Sequence, residues 1–297
     1  MSNFVKGILS NFVSKTLVAG IGLLTVILVS RSLGPQGRGE IGLFMSSVAL
    51  LQLICDFGNN TGIINLSYKH AQRTLWNSSL IWITGVCILA WPLIGTLTSL
   101  PFKWYIAPAA WLYSLVNLHH LLLMGKQEVH KRNLSLLVVP VTLFILFWLL
   151  SQILGSNTGL YIVAFFVALL ISVVISYKLI APSLQLTEST FVFESEVLKS
   201  GIWIQSAQAI QFLNYRLNFF LVAFLISDAA LGVYNNAVIL CESIWIIGHS
   251  MAQMQHMKIL NTLEPAKHVH ITQKVMKFNF MFTTVALIIL MLIPDIF

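Results

Sequence analysis

Amide and ionisable side chains recur inside the long apolar runs of this sequence, at spacings that gather them onto stripes. Asn11, Ser14, Lys15, Gly22 and Thr25 are three, four or seven residues apart, which places them on one face of a helix. Gln52, Asp56 and Asn59 repeat that spacing in the next run, and a later run carries a broad arc of Gln205, Gln208, Gln211, Asn214, Arg216 and Asn218. Asn235, Glu242, His249 and His256 then follow at seven-residue intervals, with Gln253 alongside. Asn117, His119 and His120 form a smaller group between these runs. Polar groups are costly in hydrocarbon, so such stripes mark either a cavity or a helix contact.

The residue types say what chemistry such a cavity would offer. Lys15 and Arg216 are cationic donors for phosphate or carboxylate oxygens. Lys15 could instead pair with Glu242 or Asp56, and Arg216 could snorkel to headgroups. Glu242, near mid-helix, is either the partner of a basic residue or a proton carrier. Asp56 is a second candidate for a coupling ion or proton, or a brace for the turn at Gly58. His249 suits proton handling or plain hydrogen-bonded packing. Asn11, Gln205, Gln208 and Asn235 suit sugar hydroxyls or interhelical bonds. No metal-ligand spacing, cofactor motif or ATP-binding motif accompanies them, and no nucleophile–base arrangement points to catalysis.

The elements that position these residues follow from composition. Of 297 residues, 57% are hydrophobic and 9% charged, against about 25% charged in soluble domains. A polytopic all-α membrane bundle is implied. Runs long enough to span are Ile8–Ser30, Ile41–Ile64, Leu80–Leu100, Trp104–Met124, Leu134–Leu154, Leu160–Ile180, Ile202–Ile226, Ala230–Met254 and Met276–Phe297, nine in all. The first run is too long, and lacks the small-residue cleavage site, for a signal peptide. Cys55, Cys87 and Cys241 fall inside apolar runs and read as small packing residues. The chain carries 17 Lys and Arg against 10 Asp and Glu, but its basic residues sit in short clusters between apolar runs. That excludes the continuous basic stripe of a nucleic-acid binder. With the N-terminus cytoplasmic, twelve basic residues fall in inner loops and only Arg31, Arg38 and Lys103 in outer ones. This bias orients the chain with its N-terminus inside.

A repeat organises the helices. The segment from Leu28 to Gly42, through Gly34, Pro35 and Gly39, matches Leu221 to Asn235, and Gly39 falls on Gly232 at an offset of 193. Both segments read as short outer turns in which glycine supplies the bend. An offset of six helices gives both copies the same orientation, as in lobes related by an axis along the membrane normal. The expected division is a six-helix lobe over 1–182, a cytoplasmic linker over 183–200 and a three-helix partial lobe over 201–297.

Arg31-Ser-Leu-Gly34-Pro35-Gln-Gly-Arg-Gly39 resembles the R-x-L-G-P-x-x-x-G turn of Wzx-type polysaccharide flippases, within the multidrug/oligosaccharidyl-lipid/polysaccharide (MOP) exporter superfamily. Asp56-Phe-Gly58 and Leu123-Met-Gly125-Lys-Gln-Glu are similar to that family's D-x-G and L-x-G elements, and Lys199-Ser-Gly201 to the opening of its second lobe. Members have twelve or more helices, so the resemblance implies a C-terminally truncated version of a MATE/MOP-like bundle. It also implies that helices one, two, seven and eight face a central cavity, the same four that the polar stripes select. The implied activity is movement of a polyprenyl-pyrophosphate-linked oligosaccharide across the bacterial cytoplasmic membrane by alternating access, for surface polysaccharide or O-antigen synthesis. Its partners would be that lipid-linked oligosaccharide, the bilayer lipids and other polysaccharide-assembly proteins. Two other readings fit: a multidrug or small-metabolite exporter of the same superfamily, or a polymerase-like membrane enzyme. The short outer loops speak against the enzyme.

Overall fold

The structure is a computed structural model that describes residues 3–59, 62–185, 194–242, 248 and 265–291. Their regular structure is entirely helical. The first two expected spans are joined in one 53-residue helix, α1 (Asn3–Cys55), broken only at Gly34, whose φ is 66° and ψ −174°. A side chain there would resist the left-handed φ. Pro35 then opens the second arm, where its missing N–H leaves nothing unpaired. The expected turn over 31–40 is therefore a one-residue break, and Gly39 lies within a helix.

The second arm also stops earlier than expected. It gives way at Asp56 to a 3-10 turn (Asp56–Gly58), and a short helix, α2 (Gly62–Leu66), follows. Gly58 is required by close approach: a Cβ there would overlap the Trp82 indole. Trp82 Nε1 in turn donates to the Ile54 carbonyl at 3.1 Å, one of those left free where the helix ends.

Four long helices complete the first bundle: α3 (Gln72–Leu97), α4 (Lys103–Gly125), α5 (Val129–Leu154) and α6 (Thr158–Gln185). Then come α7 (Ser195–Leu225), α8 (228–242) and α9 (Pro265–Met291). Helix therefore covers both ends of the expected 183–200 linker, and its middle, 186–193, lies outside the described residues. Likewise α9 begins eleven residues before the expected ninth run, at Pro265 rather than Met276.

Among the described residues, five segments are long and apolar enough to cross a bilayer: Val13–Leu66, Gln72–Thr96, Lys103–Gly125, Val129–Leu154 and Thr158–Leu184. The first, at 54 residues, is about twice the length that one crossing needs, and the break at Gly34 divides it into two passes. α4 is the least apolar of the five, with a mean hydropathy of 1.2, yet 78% of its span is buried. α5 has a mean hydropathy of 2.5 and is only 17% buried. Lipid, not the protein core, demands the highest hydropathy, so α4 is the central post and α5 a lipid-facing wall. The core around α4 is fixed by Phe44, Phe147 and Phe165, each almost fully buried. The chain is a multi-pass membrane protein.

Candidate functional site, a cationic cavity beside a helix crossing

The second arm of α1 and the start of α8 cross at backbone contact. A Cβ on Gly39 would collide with the Asp228 carbonyl, and one on Gly232 with the Pro35 carbonyl. The contact is reciprocal, because Asp228 is Pro35 advanced by 193 residues, as Gly232 is Gly39. One turn further, Gly42 lies against the side chain of Asn235, its own repeat equivalent. Gly39 and Gly232, expected as bending residues, serve instead to let two helices touch.

A cavity of about 300 Å³ opens immediately beside this crossing. Its walls come from both arms of α1 (Thr25, Val26, Arg38, Ser46), from α5 and α6 (Leu143, Tyr161), and from α7 and α8 (Arg216, Phe219, Asn235, Ile239). Gly42 and Asn235, one turn from the glycine pair, are part of the lining, so the crossing closes that end of the cavity.

Two guanidinium groups meet the cavity in different circumstances. Arg216 lies 4.8 Å above the Phe219 ring and donates from Nη2 to Glu242 Oε2 at 2.9 Å, a paired cation. Arg38 is only 6% exposed, and its Nε donates to the neutral amide oxygen of Asn236 at 3.0 Å. Among the described residues no carboxylate lies within ion-pair distance of Arg38. Tyr161, Asn235, Thr25 and Ser46 add neutral hydrogen-bonding groups to the lining. A buried charge is costly unless it is paired, and among the described residues the hydrogen-bond partner of Arg38 is a neutral amide.

The family model for polysaccharide biosynthesis proteins matches residues 4–254. The chain belongs to that family. Among curated proteins, none matches it significantly in sequence. Two solved structures of similar fold are both transporters. One is the MATE multidrug transporter DinF-BH, solved as a complex, at 14% identity and a TM-score of 0.67, covering 94% of this chain and 69% of that one. The other is a multidrug resistance MATE family transporter of the MOP superfamily in its outward-facing conformation, at 14% identity and a TM-score of 0.64, covering 97% and 72%. At that identity the likeness establishes the fold, a MATE/MOP-like bundle.

In this family member the sequence-predicted residues do not gather at one site. Arg216 and Asn235 line the cavity, and Glu242 reaches it through its ion pair with Arg216. Lys15 is half-buried outside the lining and feels the positive charge of Arg132 on α5. Gln208 is exposed on α7 and does not line the cavity. Asp56 and Gln205 meet away from the crossing, where Gln205 Nε2 donates to the Asp56 carbonyl at 3.0 Å. Asn117 Nδ2 donates to Asp56 Oδ1 at 3.4 Å, so the carboxylate helps brace the turn that precedes α2. His249 and the side chain of Asn11 lie outside the described residues.

Arg38 is the residue that sequence reading misplaces, as an outer-loop charge. The available signal is Pro35: a proline at the first helical position puts Arg38 one turn inside the helix. His119 and His120 are satisfied by Ser176 Oγ at 2.8 Å and Ser135 Oγ at 2.9 Å. Cys55 and Cys87, read as separate packing residues, have their sulfurs 3.7 Å apart. Elsewhere His70 turns Nδ1 to Glu194 and Nε2 to Glu196, at 3.5 and 3.3 Å, tying the start of α7 to the turn before α3.

Proposed function

We propose that this polysaccharide biosynthesis family member is a flippase for polyprenyl-pyrophosphate-linked oligosaccharides, moving them by alternating access between a first six-helix lobe and a second lobe that begins with α7. The observation that carries the reading is Arg38, a buried guanidinium with a neutral partner, facing a cavity whose other cation is Arg216. A pyrophosphate supplies the missing negative charge and accepts several charge-assisted hydrogen bonds. Asn235, Tyr161, Thr25 and Ser46 suit sugar hydroxyls, and the polyprenyl tail remains in the bilayer. In this reading the chain sits in a bacterial inner membrane; the bias of basic residues supports a cytoplasmic N-terminus, with the α1–α8 crossing toward the outer face. Lys15 and Arg132 add positive charge on the approach from the inner side.

The test is flipping in proteoliposomes containing a fluorescent polyprenyl-pyrophosphate disaccharide. Arg38→Leu should reduce flipping about 100-fold, the scale of losing a charge-assisted bidentate contact. Arg216→Leu should reduce it less, because Glu242 already holds part of that charge. Normal flipping by Arg38→Leu would sink the reading.

A second reading, a multidrug exporter, is favoured by one observation. A lipophilic cation could take the place of Arg216 on Glu242. In that case Glu242→Gln would abolish efflux of a cationic dye, while Arg38→Leu would leave it intact.

A further inference from the structure

Asn236 follows Asn235 of the cavity wall and bonds Arg38, another lining residue. Its Oδ1 accepts two hydrogen bonds, from Arg38 Nε at 3.0 Å and from Ser30 Oγ at 3.2 Å. Those donors lie on opposite sides of the Gly34 break, Ser30 on the first arm of α1 and Arg38 on the second. One amide oxygen on α8 therefore bridges both arms of α1. With Nε engaged, rotation of the guanidinium is restricted, and its two terminal nitrogens remain as donors on a residue that lines the cavity.

The bridge depends on the crossing being closed. Gly39 and Gly232, which allow the backbone contact, lie one residue from Arg38 and four from Asn236. Separating α1 from α8 by a few ångströms would part Asn236 from both donors, because a hydrogen bond does not survive such a displacement. Arg38 would then lose its orientation, and the two arms of α1 would be free to change their angle at Gly34.

We propose that Asn236 is a positioning residue that links anion affinity to closure of the crossing. The site grips an anionic headgroup while α1 and α8 touch and loosens when they part. The coupling is reciprocal, so a bound anion must in turn favour the closed crossing. This inference rests on the anion-site reading of the cavity and adds its regulation: closure at one end sets the grip, and opening there releases the load.

The experiment uses the full chain in nanodiscs, with farnesyl pyrophosphate as the anionic probe and farnesol as the neutral control. The reporter is Leu231→Cys, fully buried at the crossing, labelled by a maleimide after Cys55, Cys87 and Cys241 are replaced by alanine. With Asn236 intact, farnesyl pyrophosphate should bind and slow labelling several-fold, while farnesol should not. Asn236→Leu should weaken binding about tenfold, the scale of one charge-assisted hydrogen bond, and remove the ligand-dependent slowing.

Asn236→Asp keeps the acceptor, so its labelling without ligand should stay slow. Its affinity should still fall, because the carboxylate competes with the anion for Arg38. A structural defect alone would not separate those two readouts. If Asn236→Leu keeps both affinity and protection, or if Asn236→Asp labels as fast as Asn236→Leu, the positioning role is wrong. If the protein with Asn236 intact binds no farnesyl pyrophosphate, the anion-site reading falls, and this inference with it.

Discussion

On one side of the α1–α8 crossing, Arg38 of α1 meets Asn236 of α8. On the other side stand their equivalents at the 193-residue offset, Leu231 of α8 and Leu43 of α1, in one buried apolar cluster. Ser30, which also bonds Asn236, has Ala223 as its equivalent, packed against that same cluster. The glycines and the carbonyls they face repeat on both sides, and these side chains do not. Backbone approach is fixed by helix geometry, so a duplicated segment must keep its glycines to keep the contact. Side chains answer to the cavity, and there the two halves differ. The Arg216–Glu242 pair reverses the asymmetry: its equivalents in the first half are Leu23 and Ala49. Each half thus contributes one arginine, at non-equivalent places. A strictly repeated site would offer any ligand two equivalent poses, and side chains that differ between the halves remove that degeneracy.

The glycine pair is the shared feature, and breaking it should have the largest effect. Gly39→Val and Gly232→Val each drive a side chain into backbone carbonyl, which has no rotamer to escape through. Either should hold the crossing open and abolish flipping, with Leu231→Cys labelling at the rate of an exposed thiol. Similar outcomes from the two variants would establish the contact as reciprocal. Loss from only one would show that the halves differ in backbone as well as in side chains.

The apolar side should reject what the polar side requires. Leu43 is 3% exposed in an apolar cluster. Leu43→Asn would bury an amide in an apolar cluster beside Leu231, at a cost of about 1–3 kcal/mol. A clear fall in thermal stability in detergent is expected. Adding Leu231→Arg should recover part of it by creating the equivalent of the Arg38–Asn236 bond. No recovery would mean that the two sides are not interchangeable in geometry.

Much of this arrangement is legible in the sequence, for definable reasons. The stripes on α1, α7 and α8 select three of the elements around the cavity, because a polar group in lipid must face something polar; α5 and α6, which add Leu143 and Tyr161, carry no such stripe. Arg216, Asn235 and Glu242 are found that way. Gln208 is not separable from them, since periodicity gives a face but not what stands opposite it, and the polar arc of α7 is wider than the cavity. Arg38 escapes because Gly34-Pro35 has the composition of a loop. A glycine break followed directly by a proline start leaves no loop residues at all. Asn236 draws no notice beside Asn235, because its partners are 206 and 198 residues away and no local pattern announces them.

The smallest expected effect separates the two bonds that Asn236 accepts. Ser30 is partly buried, and its hydroxyl, at 3.2 Å, is the longer and neutral bond of the two. Removing it with Ser30→Ala should cost about 0.5–1.5 kcal/mol of the clamp, a few-fold rise in Leu231→Cys labelling. Arg38 keeps its own bond to Asn236 in this variant, so farnesyl pyrophosphate affinity should fall by less than the labelling rises. Equal changes would mean that the angle at Gly34 itself sets the guanidinium, and that Asn236 acts on the cavity through the helix rather than through Arg38. An affinity loss as large as that of Asn236→Leu would overturn the division of labour between the two bonds. Ala223→Ser, at the equivalent position, packs against the apolar cluster of Leu43, Phe219 and Leu231 and should change neither quantity.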